Sequence, residues 1–276
     1  MTHRLICLTT VCWLWAAGVF AATNIYVGDL DIGPEGVLIG DTNDLFRVGG
    51  SFNNRSTNTA YNILTATVEF TGTGAHNLEQ ASMDRGPCAN AISNNWAFGT
   101  LVTAGSVTVV DNYANSAGDD AIYVQQILGS GTLNIGSGMK VYFGSTNGWT
   151  GTANVTGTGV FRPYLDPNLD TDGDGMLNWM ECRCGTEPTN SASVLRITRI
   201  AREGNDIRVT WTTVGSHCYI LQTNAPPANG SFTNNFADCS PPIIVTGTGE
   251  SATNYLHIGG ATAPKSLFYR VRLADP

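Results

Sequence analysis

The sequence predicts an all-β chain of two strand-rich bodies, an N-terminal right-handed parallel β-helix and a C-terminal antiparallel β-sandwich, joined by a short acidic linker. Three observations carry this. From Asn24 to Tyr164, short alternating strands end repeatedly at glycine, and no helical period of useful length interrupts them. From Val194 onward the alternation is cleaner, one residue apolar and the next polar. Between the two lies the densest acidic stretch of the chain, where residues 166 to 189 carry six acids against one base.

The N-terminus comes first. Arg4 precedes an uncharged apolar run, Leu5 to Phe20, and Val19-Phe20-Ala21 offers a small-x-small cleavage site before Ala22. This reads as a signal peptide over residues 1–21 that is removed on export. The run is shorter than the ~20 residues a spanning helix needs. No second such stretch follows, so no transmembrane span is expected after cleavage. Composition agrees with a secreted or cell-surface location: only 13% of the 276 residues are charged, and glycine numbers 32. A polar but weakly charged surface of this kind suits β structure outside the cell. The net charge of −8, with no basic stripe to displace counterions, argues against a nucleic-acid partner. Cys7 and Cys12 leave with the signal peptide. Of the rest, Cys218 and Cys239 lie in one region and could pair, whereas Cys182 and Cys184, two apart on a predicted helix, face away from each other. Cys88, Cys182 and Cys184 are left unassigned.

Residues 22–165 repeat one idea. Ile25-Tyr26-Val27-Gly28-Asp29 is followed by Val37-Leu38-Ile39-Gly40-Asp41 and Phe46-Arg47-Val48-Gly49-Gly50, and later by Val141-Tyr142-Phe143-Gly144. Strands so short bury a face only by stacking as rungs, which is the logic of a parallel solenoid. Glycine turns the corners, and Asn and Thr at equivalent places can bond along the stack. Irregular glycine spacing favours a β-helix with variable loops; a Greek-key sandwich is the competing reading. The stretches Val68-Glu69-Phe70-Thr71-Gly72-Thr73-Gly74 and Gly129-Ser130-Gly131-Thr132-Leu133-Asn134-Ile135 resemble repeats of exported bacterial β-helix proteins, including autotransporter-passenger-like surface proteins. That resemblance covers about half the chain. It implies the architecture and an exported surface role without an assigned activity.

Pro163 and Pro167 then stop regular structure, and Asp170-Thr-Asp-Gly-Asp-Gly-Met-Leu-Asn-Trp-Met-Glu181 matches the twelve-residue calcium loop position by position. Asp170, Asp172 and Asp174 stand at positions one, three and five, and Gly175 at the sharp turn. Met176 would offer its carbonyl, Asn178 would hold a water, and Glu181 would close the shell. An all-oxygen set of this size suits Ca2+ better than magnesium, which demands a tighter octahedron. The prolines rule out the entering helix of a true EF-hand. After the loop, Met176 to Cys184 can form a turn or two of helix capped by Gly185. Residues 170 to 190 resemble bacterial thrombospondin type 3-like calcium repeats, which link domains of secreted proteins. In that family a Gly-Thr-Asp-Pro motif often adds a ligand; here it reads Gly185-Thr186-Glu187-Pro188. The calcium-binding linker is placed at residues 166–190. A single copy argues against a cohesin partner, because dockerin modules carry two.

Residues 191–276 complete the chain as the β-sandwich domain. Ile207, Val209 and Trp211 alternate with Arg208, Thr210 and Thr212, and Tyr269, Val271 and Leu273 with Arg270 and Arg272. The stretches Val209-Thr210-Trp211 and Phe268-Tyr269-Arg270-Val271-Arg272 resemble small fibronectin-like modules. Trp211 reads as a core residue. No nucleophile motif or His-Glu-x-x-His occurs, so no catalytic residue is assigned. His76, with Glu69, Glu79, Asp84 and Arg85 nearby in sequence, is the one cluster that could converge in a groove. His257 reads as a strand residue facing water.

The function expected is a non-enzymatic structural or adhesion-type protein with a calcium-stabilised interdomain hinge. The alternative is a carbohydrate-binding or polysaccharide-degrading β-helix protein, with Trp96, Trp149 and Tyr142 as sugar-stacking candidates. Partners would be extracellular polysaccharide or other cell-surface components.

Overall fold

The computed structural model describes residues 22–88, 96–113, 121–224, 234–262 and 267–274. The leader assigned to residues 1–21 lies outside them. The chain divides into two compact units, one running to Leu165 and the other beginning at Asp166.

The first unit is a parallel β-solenoid. One sheet stacks β1 (Thr23–Tyr26), β3 (Leu45–Val48), β5 (Ile63–Phe70), β7 (Phe98–Thr103), β9 (Ala121–Gly129), β11 (Lys140–Ser145) and β13 (Val160–Pro163) in that order. A second sheet stacks β2 (Leu30–Ile32), β4 (Phe52–Asn54), β6 (Ala75–Glu79), β8 (Ser106–Val109), β10 (Thr132–Ile135) and β12 (Thr152–Val155). Every pairing within these sheets is parallel, so each turn adds one strand to each face. Equivalent positions on the first turns lie 22 residues apart. Gly28 and Gly50 are such equivalents, joined by Gly50 N donating to Gly28 O at 3.0 Å. The glycine pattern of the sequence thus marks the ends of single strands, and two strands make a coil.

One apolar core fills the space between the sheets. Phe46, Val68, Phe70 and Leu101 from the first meet Phe52, Leu78, Val107 and Leu133 from the second, all buried. Along strands such as β10, with its alternating burial, the outward positions are polar and bond along the stack. Asn53 Nδ2 donates to Asp31 Oδ1 at 2.7 Å, Asn134 Nδ2 to Ser106 Oγ at 2.8 Å and Asn154 Nδ2 to Asn134 Oδ1 at 3.2 Å. These are the rungs the Asn and Thr content anticipates. Pro163 stands in β13, the terminal strand of its sheet, where a missing amide donor is tolerated.

A smaller cluster sits on the outer face of the first sheet. There Tyr123 stacks near Tyr164 at 6.4 Å and Tyr142 at 5.2 Å. The chain from Ser82 to Pro87 covers it: Tyr123 Oη accepts from Arg85 N and donates to Gly86 O, and Asp84 takes both Lys140 Nζ and the Tyr142 hydroxyl. Cys88, at the end of that segment, is buried and disulfide-bonded.

The second unit opens on the Asp-rich loop and α1 (Asn178–Cys184), then forms two antiparallel sheets. One orders β14 (Ile197–Glu203), β15 (Asp206–Val214) and β19 (Glu250–His257). In the other, β16 (Cys218–Asn224) pairs with β20 (Phe268–Leu273) and with the short β17 (Ala237–Asp238) and β18 (Ile243–Ile244). Their shared core centres on Val209, Trp211, Tyr219 and Leu221. Trp211 is fully buried, as the alternation of β15 requires.

The suggested Cys218–Cys239 pairing is overturned: both are free thiols. Gln222 pairs with Asp238, and Cys239 N bonds Leu221 O, so Cys239 lies opposite Leu221, three residues along β16 from Cys218. Three residues of strand span roughly 10 Å, beyond the reach of a disulfide. His257 is half-buried, with Nδ1 at 2.9 Å from the Tyr269 hydroxyl, so it does not simply face water.

Candidate metal centre

The loop from Asp170 to Asn178 turns on itself because its own carboxylates hold its backbone amides. Asp170 Oδ1 accepts from Gly173 N at 2.7 Å and Oδ2 from Gly175 N at 3.0 Å. Asp172 Oδ1 accepts from Asp174 N at 3.2 Å, and Asp174 Oδ1 from Met176 N at 2.7 Å. Such turns force the glycines into the left-handed region, at φ 78° for Gly173 and 97° for Gly175. One oxygen each from Asp170, Asp172 and Asp174 comes within 4.8 Å of the others. Asp172 Oδ2 and Asp174 Oδ2 are buried and accept no hydrogen bond. In both aspartates one oxygen sets the turn and the other is left without a donor.

Glu181, on α1, lies near enough to feel the charge of these aspartates but is not among the three whose oxygens converge within 4.8 Å. The side chain is fully buried, and neither carboxylate oxygen has a hydrogen-bond partner. Burial, and then the charges of Asp172, Asp174 and Asp170, push its pKa from 4.5 up to about 7. A buried carboxylate without donors or a counter-charge costs several kcal/mol. Such a group either holds a proton or faces a cation.

Asn178 makes bonds that its loop position does not announce. Its Oδ1 accepts from Thr171 N at 3.2 Å, and its Nδ2 donates to Asp166 O and Thr171 Oγ1 at 2.7 and 2.8 Å. The amide ties the start of the loop to its end. Met176 is half-buried, with its amide on Asp174. Leu177 stands at the N-cap of α1, and Gly185 ends the helix at φ 76° with its N–H on Glu181 O. Cys182 on this helix is disulfide-bonded, and Cys184 is a buried thiol beside Met180 O and Thr186. Glu187 N donates to Ser193 Oγ, whose hydroxyl bonds Glu250 on β19, so the segment is fastened to the sheet that follows.

A pH dependence follows from Glu181. Below pH 4.5 its carboxyl is protonated folded and unfolded alike, and its burial costs little. As pH rises from 4.5 through about 7 the folded state must give up a proton that the unfolded chain has already lost, so metal-free protein loses stability over that window. Thermal unfolding of metal-free protein should show the melting temperature falling across this range, and Glu181→Gln should flatten the fall. A wild-type curve that rises there contradicts the assignment.

The other sequence candidates are not brought together. His76 is buried on β6, with Nδ1 at 2.7 Å from Gly50 O and its ring against Phe70. Glu69 pairs with Arg47 at 2.7 Å on the outer face of the first sheet. Glu79 accepts from Asn112 at 3.1 and 3.2 Å, and Asp84 is engaged by Lys140 and Tyr142. Each acid thus has its own partner, and among the described residues these acids do not converge on His76. The three aromatics proposed to stack on sugars do not make a row either. Tyr142 is buried in the tyrosine cluster, while Trp96 and Trp149 pack on the solenoid core. Among the described residues, no helix is long and apolar enough to cross a membrane. Comparison with protein-family models, with curated proteins and with solved structures gives no match for this chain.

Proposed function

We propose that the chain is an exported structural protein of the surface or adhesion type, whose second unit is ordered at its start by a bound calcium ion. The observation that carries this is Glu181: fully buried, without a donor for either oxygen, near three clustered aspartates of which Asp172 and Asp174 also present an oxygen without a donor. A cation would supply the missing counter-charge to all four carboxylates at once. The set is oxygen only, on a loop with glycine turns, which suits calcium better than zinc or magnesium.

In this reading Asp170, Asp172, Asp174 and Glu181 bind the ion, the Met176 carbonyl joins them, and Asn178 keeps the loop closed. Extracellular sites of this kind work at roughly 10⁻⁴ to 10⁻³ M calcium. The weakly charged, glycine-rich solenoid and the likeness of residues 170 to 190 to thrombospondin type 3-like repeats support the surface role. So does the likeness of the solenoid to autotransporter-passenger-like proteins. Equilibrium dialysis against millimolar calcium is expected to leave about one ion per chain, and Glu181→Ala to abolish retention. A wild-type protein that emerges without calcium would overturn the reading.

A further inference from the structure

A shallow groove of about 370 Å³ lies on the solenoid, at strands β5, β7, β9 and β11, and its lining holds no ionisable side chain. It owes its shape to an irregularity in β5. Ile63 pairs with Phe98 and Thr67 with Thr100, so four residues of β5 answer to two of β7. A β-bulge of this kind bends its strand and re-aims side chains.

The bulge is held by its own bonds. Leu64 N donates to Asn62 Oδ1 at 3.1 Å, and Leu64 O accepts from Gln125 Nε2 at 2.9 Å. Two groups that the ladder leaves unpaired are thereby satisfied. At Gly99 a Cβ would stand 2.6 Å from the backbone of Thr65 and Ala66, so only glycine lets β7 lie against the bulge. Beside it runs a polar row set by the register: Thr100 opposite Gln126, and Gln126 opposite Ser145. Successive members are one strand spacing apart, ~4.8 Å.

We infer that this groove is a binding site for a neutral saccharide chain. Hydroxyls and amides both donate and accept, which matches sugar hydroxyls that do the same. The groove offers an anionic or cationic ligand no counter-charge, so burying a charge there would cost affinity. Thr65, Thr100, Gln126 and Ser145 supply the polar contacts, and the Leu64 side chain offers an apolar patch for a sugar's C–H face. This inference concerns a different place from the calcium loop and does not depend on it.

Affinity electrophoresis of the full chain in gels containing xylan, mixed-linkage β-glucan, dextran or polygalacturonate tests it, with calcium present throughout. At least one neutral polysaccharide should retard the wild type, while polygalacturonate should not. Thr100→Arg, which fills the groove and adds a charge, should weaken that retardation at least about tenfold. Gln126→Ala, a smaller change, should weaken it less and guards against a folding defect, with thermal unfolding as the check on both. Retardation by none of the neutral glycans overturns the inference. So does retardation that both variants leave unchanged, or retardation by polygalacturonate alone.

Discussion

Stripping divalent ions is expected to lower the melting temperature of the second unit by on the order of ten degrees, and returning millimolar calcium to restore it. The size follows from linkage. Millimolar calcium is about ten times the dissociation constant of a site near 10⁻⁴ M, and at that ratio it stabilises the state that binds it by about 1.4 kcal/mol. In a domain of this size, 1 kcal/mol moves the midpoint by roughly 4–8 °C. The physical source is the cluster of Asp170, Asp172 and Asp174 near a fully buried Glu181, in which Asp172 and Asp174 each have an oxygen without a donor. Asp172→Ala removes a ligand and part of the repulsion together. Its melting temperature should therefore be nearly the same with calcium and with chelator. Scanning calorimetry on wild type and variant, with and without calcium, decides the matter. A wild-type midpoint indifferent to chelator, or a variant as responsive as the wild type, would sink the proposal. Magnesium at the same concentration should shift the midpoint much less, because it keeps its waters and needs a tighter shell.

How far the sequence reveals this protein depends on how local each feature is. The acidic loop is legible because its residues lie within twelve positions and its hydrogen bonds join neighbours two to five apart. The parallel stack is legible in outline, since glycine-ended apolar runs admit few alternatives. The coil is harder to see, because two strands of unequal spacing make one turn and its bonds span 20 residues or more. Asp84 meets Lys140 across 56 positions, and Gln125 reaches the β5 bulge across 61. No periodicity announces either contact. The same non-locality explains the misplaced expectation about His76. Glu69 and Glu79 are near it in the chain, but they sit on strands of different sheets and meet different partners. Asn178 shows what a loop template leaves out: besides the place at the metal's water that the template assigns it, its amide bonds Thr171 and Asp166.

Phe98→Ala is expected to destabilise the solenoid by about 3–5 kcal/mol, the usual cost of emptying a buried aromatic site. Phe98 has no exposed surface, and its ring meets Phe52 edge-on at 5.4 Å, bridging the two sheets at the middle of the stack. Its strand pairs with β5 on one side and β9 on the other. In a stack where each rung is stabilised by its neighbours, a defect there weakens two interfaces at once. The loss is a large share of the 5–15 kcal/mol that typically separates folded from unfolded chains. Val155→Ala makes the contrast, because Val155 lies in β12, the terminal strand of its sheet, and is 42% exposed. Its substitution should cost no more than about 0.5 kcal/mol. Urea unfolding of both variants measures the difference directly. Equal and small costs at the two positions would mean that the sheets do not share the core described, whereas a large cost at Phe98 alone locates the stability of the stack in its middle rungs.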